Sequence, residues 1–265
     1  MTEIVRRTSG LHDPLNVGFV RTYFVDDREV YRETLDKNLD IINKEGSLPD
    51  GTVKEFFENG KVYFECEFKH GQRNGRCRIY FVNGKVSIEK FYANGHLQGT
   101  VRVYHPSGRL QKEMNYEDDC QEGKQTKYYP SGKVLEVSEF RKGYLNGSCR
   151  TYTQEGDLRS ECTYKNDKLI GDKVVYHPNG TIALISPHKD GKPNGVTKKF
   201  DEEGNQSGEV THRYDGSSPA SKRVVRIIPL WTLHVHPDSC FRDVVEHFCE
   251  DELRDFCRHC REEKL

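Results

Sequence analysis

A chain of 265 residues in which only 34% are apolar and 31% charged can form one or two domains, but it lacks the apolar mass for the deep core of a compact enzyme; a thin sheet suits it better. Forty-one basic residues against 42 acidic ones leave a formal net charge of −1, which removes the electrostatic case for nucleic acid as a partner. No apolar run is long enough to span a membrane, residues 1–10 lack a signal-peptide core, and nine unevenly placed cysteines do not form a secreted disulfide framework, so a soluble, intracellular, cytoplasmic protein is expected.

Residues 1–50 read as an N-terminal cap. Within them residues 18–31 (GFVRTYFVDDREVY) resemble a degraded copy of the unit that follows, with Tyr23 at its aromatic position and Asp26-Asp27 at its turn. Val30, Leu35, Leu39 and Ile42 recur at roughly helical spacing, and Gly46 is placed to end such a helix. An open repeat array needs a cap of this kind, because its first strand would otherwise present free backbone donors and acceptors.

From residue 51 to 206 the chain repeats. Glycines stand at Gly51, Gly75, Gly99, Gly123, Gly147, Gly171 and Gly195, a period of 24, and a second glycine follows nine residues after each, from Gly60 to Gly204. Between them runs an aromatic column, Phe56, Tyr80, Tyr104, Tyr128, Tyr152, Tyr176 and Phe200. After the second glycine come an aliphatic column (Val62, Val86, Leu110, Val134, Leu158, Ile182) and a second aromatic one (Phe68, Tyr92, Tyr116, Phe140, Tyr164), with His188 in the last place. A period of this length means an array whose units bury apolar surface only against their neighbours.

Each unit reads as a β-hairpin. ENGK at residues 58–61, VNGK at 82–85, PSGR at 106–109, PSGK at 130–133 and PNGT at 178–181 are turns in which glycine supplies positive φ and proline presets the first turn residue. A second turn, such as KHGQ at 69–72 or RKGY at 141–144, leads into the next hairpin. The fold class predicted is therefore an all-β repeat array, an elongated antiparallel meander of about two strands per repeat.

Charge selects the register. Lys54 with Glu65, Arg78 with Glu89, Arg102 with Glu113 and Arg150 with Glu161 pair if the fourth residue of a unit faces the fifteenth; where the acid is missing the base is missing too, leaving Thr126 with Val137 and Val174 with Ile185. Such matched switching marks directly opposed neighbours, each pair contributing roughly 0.2 to 1 kcal/mol. A two- or four-residue loop gives this register, whereas a three-residue loop with a glycine bulge shifts it by one and gathers both aromatic columns and the aliphatic column on one face. The charge-matched register is preferred and sets Cys149 opposite Cys162. The array cysteines Cys66, Cys77, Cys149 and Cys162 are read as small apolar residues in half-buried slots, with a cross-strand disulfide as the alternative.

After the array, residues 207–223 have the Gly, Ser and Pro content of a linker. Residues 224–265 form the C-terminal cap: VVRIIPLWTLHV at 224–235 supplies strand or apolar cover, and Phe241, Val244, Val245, Phe248, Leu253 and Phe256 make the apolar stripe of a helix over about residues 238–259. Cys240, Cys249, Cys257 and Cys260 lie in this segment, with Cys257 and Cys260 in the chain's only CxxC. Zinc sites usually pair two such knuckles, so buried small residues are preferred and zinc is the alternative. No nucleophile, base and orienter can be assembled from the sequence, and no phosphate-binding loop is present, so no enzyme is expected.

The pattern G-x4-[FY]-x3-G-[KR]-[VL], followed by a second aromatic and a KxGxxNG-like turn, resembles the variant MORN repeat over residues 51–206. Proteins of this appearance occur in bacteria, where some are labelled antitoxins, and in multiplied copies in large DNA viruses of amoebae. The resemblance implies an elongated β-sheet acting as scaffold or contact surface, with no catalytic residues or cofactor to carry over. Trp231, the only tryptophan, lies outside the repeats, unlike the better-known MORN pattern, so phospholipid binding is not carried over and membrane is not expected as a partner. The function expected is a structural scaffold contacting other proteins, as a component of a large assembly such as a virus particle; the alternative is an antitoxin-like binder of a single partner. Tyr80, Tyr104, Tyr128, Tyr152 and Tyr176 are the candidate contact surface, with packing inside the sheet as the competing role.

Overall fold

The computed structural model describes residues 2–10, 18–38 and 40–213. They form one sheet of twenty strands with no helix among them. The first four strands are β1 (Glu3–Gly10), β2 (Gly18–Val25), β3 (Arg28–Asp36) and β4 (Ile41–Gly46). The array comprises β5 (Gly51–Phe56), β6 (Val62–Lys69), β7 (Gln72–Tyr80), β8 (Val86–Ala93), β9 (His96–Tyr104), β10 (Leu110–Glu117), β11 (Cys120–Gln121) and β12 (Gly123–Tyr128). It continues through β13 (Val134–Arg141), β14 (Tyr144–Tyr152), β15 (Leu158–Lys165), β16 (Lys168–Tyr176), β17 (Ile182–Lys189), β18 (Lys192–Pro193), β19 (Gly195–Phe200) and β20 (Gln206–His212). The tail helix, its cysteines and the apolar stretch at 224–235 lie outside the described residues.

The N-terminal helix expected from Val30, Leu35 and Ile42 is not formed; these residues lie in β3 and β4, and Leu39 is outside the described residues. Burial in β3 alternates with a period of two, through Tyr31, Glu33 and Leu35. Glu33 concealed that period in the sequence. Its carboxylate is buried because it accepts hydrogen bonds from the hydroxyls of Tyr23 (3.0 Å) and Tyr31 (3.1 Å), which replace the water it gives up.

Strands β4, β3, β2 and β1 form an antiparallel meander, and β1 then lies parallel to β5, with Ile4 opposite Val53. Residues 47–50 carry the chain from β4 back across β3, β2 and β1 to β5, burying Leu48 on the way. Arg6 ties β1 to the array by donating to Glu55 at 2.6 and 2.9 Å, its guanidinium 4.2 Å over the Phe64 ring. From β5 onward the array is a meander of neighbouring strands, in which β10 pairs with both β11 and β12, and β17 with both β18 and β19, the two partners in each case being one strand interrupted for a residue.

Two opposed devices set the register of every hairpin. In the first, Phe57 N donates to Lys61 O (2.8 Å) and Gly60 N to Phe57 O (2.9 Å), with Gly60 at φ +78°: a three-residue loop with a glycine bulge, pairing Phe56 with Val62. One step further the ladder shifts again, passing Tyr63, so that Glu55 meets Phe64 and Lys54 meets Glu65. The same pair of shifts recurs through Phe200 opposite Gln206. The loop alone would have excluded the charge-matched register; the second bulge restores it. All six predicted pairs are formed, from Lys54 with Glu65 to Val174 with Ile185. The second turns are two-residue loops with both residues at positive φ, as in His70-Gly71 and Asn94-Gly95.

Among the described residues the buried apolar cluster occupies the first half of the sheet. Its buried cluster runs from Ile4 through Tyr23, Val53, Phe64, Ile79, Ile88 and Val101 to Met114 and Tyr116. In that row Cys66 and Cys77 are joined as a disulfide across β6 and β7 rather than standing as separate small residues. The sequence grid compares positions within one repeat and does not show that β7 brings Cys77 beside Cys66 from the neighbouring hairpin. Beyond β12 most side chains on both faces are half-buried, and the described residues form a single layer there.

The period glycine has its own geometry. Gly147 has φ +130°, and a Cβ there would stand 2.8 Å from the Cβ of Glu139, whose carboxylate accepts from Ser148 N. Gly147→Ala is therefore expected to lower stability by about 1 to 3 kcal/mol in urea titrations followed by circular dichroism. Gly208→Ala, at a residue without positive φ and with open space around it, should stay within about 0.5 kcal/mol; equal effects would discount the strain.

Candidate interaction surface

The restored register makes one unbroken row of side chains across the sheet. In strand order it runs Lys54, Glu65, Arg78, Glu89, Arg102, Glu113, Thr126, Val137, Arg150, Glu161, Val174, Ile185, Lys198 and Glu209. The sequence revealed the pairs within hairpins. The structure adds the contacts between them: Arg78 reaches both Glu89 (2.9 Å) and Glu65 (3.5 Å), and Arg102 reaches both Glu113 (2.8 Å) and Glu89 (3.9 Å). Arg150 meets Glu161 at 3.2 Å, while Lys54 turns outward to Glu3 of β1 at 2.6 Å. These are partly exposed pairs whose value lies in the network rather than in any single bridge.

Beside this row stands the first aromatic column. Tyr80, Tyr104, Tyr128, Tyr152 and Tyr176 are all half-buried, each directly opposite an aliphatic residue of the returning strand: Val86, Leu110, Val134, Leu158 and Ile182. Two hydroxyls anchor onto the charged row. Tyr80 donates to Glu65 and Tyr176 to Glu161, the latter at 2.7 Å. That hydrogen bond, together with the Arg150 guanidinium, holds the Glu161 carboxyl below its usual range. Burial and the Glu65 carboxylate push Tyr80 up to about 12. The face thus carries a tyrosine–aliphatic stripe along one side of a self-neutralised line of charge. The second aromatic column contributes Tyr92 and Tyr116 to the buried cluster, on the core face.

The rims are held by contacts that the sequence reading did not find. After three of the turn glycines a basic residue reaches the next turn: Lys85 Nζ donates to Ser107 O (2.5 Å), Arg109 to Pro130 O (2.8 Å) and Lys133 Nζ to Glu155 O (3.0 Å). Their signal was present in the recurring G-[KR], which was read only as part of the repeat. On the opposite rim acidic side chains accept backbone N–H groups of a neighbouring unit, as Asp119 does from Leu97 (2.6 Å) and Asp167 from Leu145 (2.8 Å).

An open groove of about 350 Å³ lies on the charged face near β1, lined by Glu3, Lys54, Glu65, Glu67, Arg76 and Arg78, so acids and bases are matched and no sign of ligand charge is favoured. Among the described residues no three His, Cys, Asp or Glu side chains are grouped as a metal site. No helix among them is long and apolar enough to cross a membrane. Cys240, Cys249, Cys257 and Cys260 lie outside those residues.

Fold and surface together define an open β-hairpin repeat array with two chemically different faces. Four stretches match the family model described as the MORN repeat variant: residues 49–70, 97–118, 121–142 and 145–166. These matches support a MORN-repeat protein, and each spans one turn and its flanking strands. The unmatched hairpins β7–β8, β16–β17 and β19–β20 have the same pairing and the same double shift. A search of the curated proteins finds no match to the chain.

The tyrosine anchor has a pH signature. Because the pKa of Tyr80 in the folded chain lies above the ordinary 10, its contribution to stability is fully present below pH 10 and is lost as pH rises toward 12. Difference titration of tyrosinate absorbance between wild type and Tyr80→Phe should show the missing step near 12, moving toward 10 in Glu65→Gln. A step at 10 in the wild type would mean that the anchor is not made.

Proposed function

We propose that this chain is a non-enzymatic scaffold that works inside the cell, contacts other proteins through its tyrosine-bearing face, and is one component of a larger assembly such as a virus particle. The observation that carries this reading is the stripe of half-buried tyrosines, each backed by an aliphatic residue, recurring on every second strand of a sheet that beyond β12 is a single layer among the described residues. Strands lie about 4.8 Å apart, so the tyrosines recur roughly every 10 Å, a spacing that suits a partner of extended or repeated form. Tyrosine combines large apolar area with a polar tip and is enriched in protein interfaces. The adjoining charges neutralise one another, leaving neither the basic field that nucleic acid needs nor the basic face that anionic lipid needs. Four MORN repeat variant matches agree with an interaction role.

The test uses the partner recovered with the full chain from its native source by cross-linking and mass spectrometry. Tyr104→Ser, Tyr128→Ser and Tyr152→Ser combined should weaken that association by about tenfold or more while circular dichroism stays unchanged. A specific, stable association should bury more than roughly 1,000 Å² in total. Undiminished binding, a chain that is monomeric and partnerless in native extracts, or turnover of a small molecule would each defeat the reading. A single tight one-to-one complex would instead favour the antitoxin-like alternative.

A further inference from the structure

The central row of the core face contains a cross-strand pair of cysteines twice. It reads Cys66, Cys77, Lys90 across β6, β7 and β8, and again Cys149, Cys162 across β14 and β15, where the ladder to β16 shifts at Cys162 and the nearby Lys173 ammonium acts on it. The first pair is already joined. In the second both side chains are thiols, half-buried and therefore within reach of a small reagent.

We infer that Cys149 and Cys162 form a dithiol site that a low-molecular-weight disulfide of the glutathione class closes into a cross-strand disulfide. Directly opposed residues of antiparallel strands have Cα atoms about 4.5 or 5.5 Å apart and side chains on one face. That separation falls in the range of about 4.4 to 6.8 Å that a disulfide requires, so closure needs no backbone rearrangement.

The two sulfurs have different roles. Interaction with the Cys149 thiol and, against the cost of burial, the Lys173 ammonium draw the Cys162 thiol down. The Cys149 thiol moves the other way through the same interaction and its partial burial. Cys162 Sγ lies 3.8 Å from Cys149 O, to which it donates while protonated. Tyr164, Lys127 and Glu136 are the other ionisable groups that act on the pair. Cys162, the sulfur on which the Lys173 ammonium of the next strand acts, is thus the attacking one. Its thiolate displaces one half of the small disulfide as a thiolate and forms a mixed disulfide. Cys149, losing its proton to solvent, then attacks the Cys162 sulfur and expels the second half. Two protein thiols are oxidised, one small disulfide is reduced to two thiols, and no other oxidant is consumed. The bond falls in the half of the sheet that lacks a buried apolar cluster among the described residues, where it fixes β14 to β15.

The experiment treats the intact chain with oxidised glutathione near pH 7 and maps its cysteines by mass spectrometry. Trypsin cuts after Arg150 and Arg159, so the linked peptides are recovered as one species and cannot be confused with any bond to Cys120. Cys149–Cys162 linkage without a lasting glutathione adduct is expected. Cys149→Ser should hold glutathione on Cys162, and Cys162→Ser should leave Cys149 reacting about ten times more slowly. Serine is tolerated in this row, which carries Ser138 and Ser186. Lys173→Met, which leaves both thiols in place, should slow alkylation of Cys162 by iodoacetamide several-fold at pH 7. Stable adducts on both wild-type cysteines, or alkylation of Cys162 no faster than that of Cys120, would overturn the assignment.

Discussion

The structure depends on a register constraint enforced twice in every hairpin. Because side chains alternate along a strand, a shift of one residue would move every residue beyond it to the opposite face. The glycine loop introduces such a shift and the second bulge removes it two residues later, so the disturbance is confined to the pair formed by the first aromatic and the aliphatic residue. This is why Tyr80 and Val86 can oppose each other beside the charged row while Ile79 and Ile88 remain in the core. The glycine at the turn and the extra residue at positions such as Tyr63 and Ser87 are two parts of one device.

A sheet whose buried apolar cluster, among the described residues, covers half its length draws on other sources of cohesion in the rest. The ladder hydrogen bonds are uniform, but the side-chain rows change character along the array. On the core face Val101 and Met114 give way to Gln125 and Ser138, which bond each other at 3.4 Å, and later to Ser186 and Thr197, whose hydroxyls lie 2.9 Å apart. Hydrogen bonding between these buried polar groups replaces part of what apolar burial supplies nearer β1, and it leaves less apolar surface to satisfy if this half is uncovered. The basic residues on the turn rim act in the same direction by joining successive hairpins where packing does not.

Much of this was legible in the sequence because the repeat compares each position with itself. Strand positions, the places of both turns and the charge-matched pairs follow from identities that recur or switch together; the three-residue form of the first turn does not. Features that occur once had no such support. Glu33 broke the alternation of β3 and allowed a helical spacing to be read through Val30 and Leu35, since nothing local in the chain shows that two tyrosine hydroxyls will receive its carboxylate. The parallel junction of β1 with β5 is likewise a tertiary fact without a periodic signal. The choice between a glycine bulge and the charge-matched register was posed as exclusive, although the sequence contains a residue to spare in every hairpin for both. Of the contact surface, the sequence identified the tyrosines but not their face, because the face depends on that second bulge.

The interruptions of the charged row mark where the proposed contact face is least polar. Thr126 and Val137 replace an ion pair beside Tyr128 and Val134, and Val174 and Ile185 replace one beside Tyr176 and Ile182. At these two places the apolar stripe widens from one pair of residues to two, while the flanking Arg150 and Glu161 pair keeps the intervening hairpin polar. Both widenings lie in the half of the array without a buried cluster among the described residues, where the sheet has least internal reason to be apolar. A partner seated over β12–β17 would cover these patches and desolvate the Arg150–Glu161 pair between them. Shape and charge there would select among partners while the apolar patches supplied the driving force, which is the division of roles that protein interfaces commonly adopt.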